Sequence, residues 1–167
     1  MKARLAALLA LSIPVTAHAQ GMAAMKPLYE MVKTNIIKSA ELMPEANYSF
    51  KPTPAVRSFG QLIGHIADAN FMFCGTVKGV KPPHSEGDFD KKENKAELVQ
   101  AVKDAFAYCD AVYKMPDARV RATAELFGMK MSRLGWAFEN VAHDNLHYGN
   151  VITYLRLKGL TPPSTSM

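Results

Sequence analysis

His143 and His147 stand four residues apart in a helix-forming stretch, and a third histidine, His65, lies in another apolar helical stretch. Residues four apart share one face of a helix, about one turn above each other. Two imidazoles so placed can both address one cation, and a third from a neighbouring helix completes a set of three nitrogen donors. A three-donor set leaves positions open for water or substrate, as catalytic metal sites require. Trp136, Glu139, Asn140, Asn150 and Tyr154 fall on the same helical face as His143. An ordinary core stripe excludes polar groups unless they are paired, so this face reads as a functional one.

Glu139 precedes His143 by one turn and is the candidate general base or fourth ligand. Tyr154 is the candidate donor to a developing oxyanion. Gln61 and Asp68, four before and three after His65, are placed to orient its second nitrogen. The pattern is not that of the zincins, which carry Glu directly after the first His. Here that neighbour is Asp144, about 100° around the helix from His143. By donor type alone, three neutral imidazoles suit zinc, nickel, copper and iron alike.

Four helical segments must position these groups. Met25, Leu28, Val32, Ile36 and Met43 recur at helical spacing in a first helix over residues 21–43, which Pro44 ends. Pro52 and Pro54 make the next stretch a connector. Ser58 is the expected N-cap of a second helix that reaches Lys78 and carries Phe59, Leu62, Ile66, Ala69, Phe73 and Val77. A Pro- and Gly-punctuated loop follows. The third helix, over 92–114, carries Leu98, Val102, Ala105, Cys109 and Val112 at helical steps. Residues 118–130 read as an extended connector, with no convincing alternating strand. The fourth helix spans 132–158 and stops at Gly159, with Pro162 and Pro163 preventing resumption. The expectation is an all-α four-helix bundle. The fourth helix also has an opposite apolar strip, Leu134, Phe138, Val141 and Ile152, which either the 118–130 connector or the second subunit of a homodimer would cover.

Residues 1–19 read as an export signal. Lys2 and Arg4 precede an apolar run, and Ala17-His18-Ala19 fits small-x-small cleavage before Gln20. The expected product is residues 20–167, one domain, periplasmic or secreted, with no stable insertion in a membrane. Lys2 and Arg4 leave with the leader, so the excess charge of +5 falls to 18 basic against 15 acidic residues, or +3. No dense basic run remains, which argues against nucleic-acid binding. Cys74 and Cys109, the only cysteines, sit at apolar helical positions and are expected to be buried free thiols, although export permits a disulfide.

Two stretches resemble the DinB/YfiT-like metalloenzymes. One is Ser58-Phe-Gly-Gln-Leu-Ile-Gly-His65-Ile-Ala. The other is His143-Asp-Asn-Leu-His147-Tyr-Gly-Asn150, followed by Tyr154-Leu-Arg-Leu-Lys-Gly-Leu-Thr-Pro-Pro163. The resemblance implies a four-helix bundle of unusual topology with a metal, often zinc or nickel, on His65, His143 and His147. Tyr148 and Asn150 depart from the Arg and Gln usual in that family. Characterised relatives include transferases and isomerases that use low-molecular-weight thiols, chiefly of the cytoplasm, a pool on which an exported protein cannot rely.

The expected activity is that of a metal-dependent hydrolase or thiol-type transferase acting on a small molecule. The rival is a non-catalytic bundle that binds a metal or small ligand. A haem bundle using Met25, Met43 or Met72 is the weakest reading, since Met more often fills core gaps.

Overall fold

The structure, a computed structural model, describes residues 21–166. The expected export signal lies outside the described residues. Four long helices dominate: α1 (Gly21–Leu42), α2 (Phe59–Lys78), α3 (Lys95–Asp110) and α5 (Arg133–Leu157), with α4 (Asp117–Val120) a single turn. Strands β1 (Thr123–Leu126) and β2 (Met129–Ser132) form one antiparallel hairpin.

The second helix starts where its sequence says it must. The Ser58 hydroxyl accepts the Gln61 backbone N–H, and the Gln61 side chain accepts the Ser58 N–H, a reciprocal cap. Gly79 closes α2 in the left-handed conformation, with φ 73°. Asn94 caps α3 and Ser132 caps α5 through their side-chain oxygens. The third helix therefore begins at Lys95 rather than Lys92, because the last unpaired turn is taken up by that cap.

In a simple up-and-down bundle, consecutive helices are neighbours. Here α2 packs between α3 and α5, and α1 packs between α5 and α3. Consecutive helices α1 and α2 thus lie on a diagonal, and so do α3 and α5. The core follows from this crossing. Tyr29, Val32 and Ile36 of α1 meet Ile63 and Ile66 of α2, Leu98, Val102 and Phe106 of α3, and Trp136, Val151 and Leu155 of α5 in one buried cluster.

Two sequence expectations need correction. Residues 118–130 are not a plain connector, because Phe127 and Gly128, both at positive φ (53° and 72°), make a two-residue turn that folds 123–132 into the hairpin. Phe is a costly residue for that conformation, which is why the turn carried little signal in sequence. The hairpin is tied to α5 by the Trp136 indole, which donates to the Ala124 carbonyl at 3.0 Å. Along the second apolar strip of α5, Val141 is buried and Leu134 lies beside Gly21 of α1, which packs on α5, while Phe138 stays 62% exposed.

The second correction concerns the cysteines. Cys74 and Cys109 are joined in a disulfide, not free. Each is an apolar position on one of two helices that pack face to face, so the same periodicity that buried them also brought their Cα atoms to 5.4 Å, within bridging range. The bridge closes a loop of 35 residues in sequence separation, for which chain entropy gives about 3–4 kcal/mol of stabilisation. Replacing both cysteines by Ala is expected to lower unfolding free energy by about 2–4 kcal/mol, read from urea melts, with the helical content of the folded state unchanged.

Candidate metal centre

The α2–α5 contact brings the three histidines together. His65 comes from the middle of α2, and His143 and His147 from successive turns of α5. The Nε2 atom of His147 lies 3.2 Å from that of His65 and 3.1 Å from that of His143. Candidate ligand atoms of all three lie within 4.8 Å of one another, and among the described residues no other trio of His, Cys, Asp or Glu does this. Nitrogens bonded to one ion at about 2.0–2.1 Å, with angles near 100°, would sit about 3.1–3.2 Å apart. The donor spacing therefore fits a first-row transition ion.

The protonation chemistry fits as well. Burial lowers the pKa of all three rings. For His143 the pKa falls to about 3, through burial first and then the neighbouring imidazoles of His147 and His65. For His147 it falls to about 4, through burial first, then His65 and the Arg57 guanidinium. Near neutral pH the rings are therefore uncharged, and with the proton on Nδ1 each presents an Nε2 lone pair to its neighbours. Nε2 is the nitrogen that each ring turns toward the other two, while the Nδ1 atoms of His143 and His147 are buried without a hydrogen-bond partner. Packing orients His143 instead, its ring lying edge-on to Phe73 with centroids 5.4 Å apart.

Residues expected to support His65 are engaged elsewhere. Gln61 completes the α2 cap, and Asp68 accepts backbone N–H groups from Gly87, Phe89 and Asp90. That carboxylate fastens the 85–92 loop onto α2. Gly64, beside His65, permits the close approach, since a Cβ there would run into the Phe89 carbonyl.

The polar face of α5 divides along its length. Trp136 is fully buried and serves the hairpin. Asn140 is fully buried too, donating to Asn70 Oδ1 at 3.1 Å and accepting from the Tyr113 hydroxyl at 2.7 Å. Asp144 accepts from Asn70 at 2.8 Å, and burial raises its carboxyl well above the usual carboxylate range. Neither Asn140 nor Asp144 faces the histidines' open side.

Two hollows flank the imidazoles. The smaller, of about 180 Å³, is lined by His65, His143, Glu139 and Met72, with Phe127 reaching in from the hairpin tip. The larger, of about 750 Å³, lies between the 51–57 segment and α5, and includes His147, Asn150 and Arg57. Glu139, an exposed residue, lines the smaller hollow together with His65 and His143. Tyr154 lines the larger cleft, but its hydroxyl donates to the Arg57 carbonyl at 2.6 Å. Its proton is committed to the backbone, so the expected oxyanion role does not follow from its position. Arg57 and Phe127 escaped the sequence reading because each belongs to a connector with no periodic pattern. The Phe-Gly dipeptide at the turn was the one signal available for the hairpin.

The sequence profile of the DinB superfamily matches residues 28–151, and the chain belongs to that superfamily. Solved structures agree on the fold. A DinB-like protein from Bacillus cereus ATCC 10987 superposes with a TM-score of 0.72 at 16% identity, covering 87% of this chain and 95% of that one. YfiT from Bacillus subtilis gives a TM-score of 0.65 at 11% identity, over 90% of this chain and 94% of that one. It is described as a probable metal-dependent hydrolase with an unusual four-helix bundle topology. A mycothiol-dependent maleylpyruvate isomerase gives 0.64 at 12% identity, over 78% of this chain and 60% of that one. No curated protein matches the chain in sequence.

The unfolded chain's histidines bind protons near the ordinary value of 6.5, whereas His143 and His147 in the folded protein do so at about 3 and about 4. The unfolded state therefore binds more protons over that interval, and the metal-free fold loses stability as pH falls from 6.5 toward 4. Imidazole nitrogen NMR shifts of metal-free protein are expected to report neutral rings at pH 5. Charged rings at that pH would contradict the burial argument.

Proposed function

We propose that His65, His143 and His147 hold one divalent transition ion, zinc or nickel, and that the protein is an exported metal-dependent hydrolase of a small molecule. The observation that carries the reading is the convergence of three proton-poor imidazole nitrogens, beside a carboxylate and at the edge of an open cleft. The ion would supply Lewis acidity, which activates a nucleophile and polarises a carbonyl near neutral pH. The chain's own groups do the rest. Glu139, at the rim of the smaller hollow, takes a proton from the attacking water and returns it to the leaving group. Asn150 and the 51–57 segment hold the substrate against His147. Phe127, Met72 and Phe73 line the smaller hollow and limit water's access to it.

Thiol transfer is the second chemistry that such a centre allows, since a transition ion also stabilises a thiolate. Hydrolysis is favoured by the compartment. The leader pattern of residues 1–19 and the buried Cys74–Cys109 disulfide both suit an oxidising environment, where water is the abundant nucleophile. Export is checked by N-terminal sequencing of protein from the periplasmic or culture fraction, with Gln20 expected as the first residue.

Metal-loaded protein is expected to carry one ion per chain by elemental analysis and to hydrolyse members of a panel of small esters and amides. His147→Ala should lose both ion and activity. Glu139→Gln should keep the ion and lose about 10²–10⁴-fold in rate. Full metal occupancy with neither hydrolysis nor thiol transfer across the panel would leave a binding protein instead.

A further inference from the structure

We propose that Arg57 is the anchor for an anionic group of the substrate, so that the protein acts on small molecules bearing a carboxylate or similar anion in the cleft beside His147. The inference rests on the metal-centre reading above and adds the chemical class of what binds there.

Arg57 lies at the end of the segment that walls the larger cleft, which also includes His147 and Asn150. Its backbone is held in place. The Tyr154 hydroxyl donates to its carbonyl at 2.6 Å, and Ser58, the next residue, is locked in the α2 cap. Phe50, at the other end of the segment, packs edge-on against the same Tyr154 ring at 6.1 Å. Tyr154 is therefore a positioning residue for this wall. Among the described residues the Arg57 guanidinium forms no ion pair, whereas Lys33, Lys92 and Lys103 each meet a carboxylate. It shares the wall of this cleft with His147, which puts its charge on the side of the centre that a ligand would enter. Arg57 is exposed, and its guanidinium, carried on a tethered backbone, is free to pair with an anion that enters the cleft. A substrate carboxylate, accepting the planar two-donor face of arginine, is such an anion.

The test uses cobalt(II)-loaded full chain and a series of ω-mercaptocarboxylic acids with two to five methylenes, each paired with its neutral primary amide. The thiol reports on the centre through its cobalt charge-transfer band, and the acid-to-amide affinity ratio reports on Arg57. At least one chain length is expected to favour the acid by tenfold or more. Arg57→Ala should bring that ratio to about one while leaving the amide's affinity in place. Tyr154→Phe should reduce the ratio partway, and Lys26→Ala, which removes an equal charge from exposed α1, should leave it unchanged. Because the ratio compares two ligands on one protein, any change in metal affinity cancels. Thiol binding with no acid preference at any length, or a preference that survives Arg57→Ala, overturns the Arg57 assignment alone. Failure to bind cobalt, or cobalt bound with no thiolate band, overturns the metal-centre reading beneath it.

Discussion

The register between α2 and α5 is the constraint on which the site depends. A bundle lets two helices slide by a turn at little hydrophobic cost, and a slide of one turn, about 5.4 Å, would part His65 from its two partners. A buried amide prevents it. Asn70, five residues after His65, donates to Ile66 in its own helix and to Asp144 of α5, and accepts from Asn140 of α5. Every shifted register leaves these groups unpaired in the core, at a cost of about 1–3 kcal/mol each. Buried polar residues are known to select register in helical assemblies in this way. Tyr113, arriving after α3, donates to Asn140, and the disulfide joins α3 to α2 at Cys74, one turn beyond Asn70. The polar layer and the covalent bridge thus act on neighbouring turns of α2.

The centre itself is built by burial rather than by partners. Metal-bound histidines usually donate their second nitrogen to a carboxylate or carbonyl, yet His143 and His147 have none. Ring orientation falls to packing against Phe73 and to the mutual edge-on contacts of the imidazoles. Burial and the clustering of like rings both act against protonation. That makes the trio a poor proton sink and leaves its nitrogens uncharged, as the proposed cation site requires, with Arg57 at the cleft side.

The two hollows give the centre different neighbours. Glu139 and apolar side chains line the smaller one, while the larger one is open and carries the guanidinium. The loop fastened by Asp68 and the hairpin fastened by Trp136 limit the smaller hollow. Both fastenings use side chains, Asp68 and Trp136, whose spacing from the histidines places them on or beside the site's helix faces. A polar or aromatic residue on a functional helix face need not touch the function, because one helix meets different elements at different heights.

Helical period, caps and proline stops made the four helices readable from residue types alone, since these are local properties of the chain. The histidine trio was readable for a similar reason: the i, i+4 pair is set by helix geometry, and a lone histidine on an apolar helix has few neighbours to meet. Packing decided the remainder. Whether Cys74 met Cys109 depended on which helices were adjacent, and the diagonal order α1–α3–α2–α5 is a property of the assembled bundle that no single helix encodes. The hairpin turn at Phe127 went against local preference, so only its pairing and the Trp136 bond reveal it. Arg57 and Tyr154 lie 97 residues apart, and no spacing rule links them. Their joint role exists only where a connector and a helix end are folded against each other.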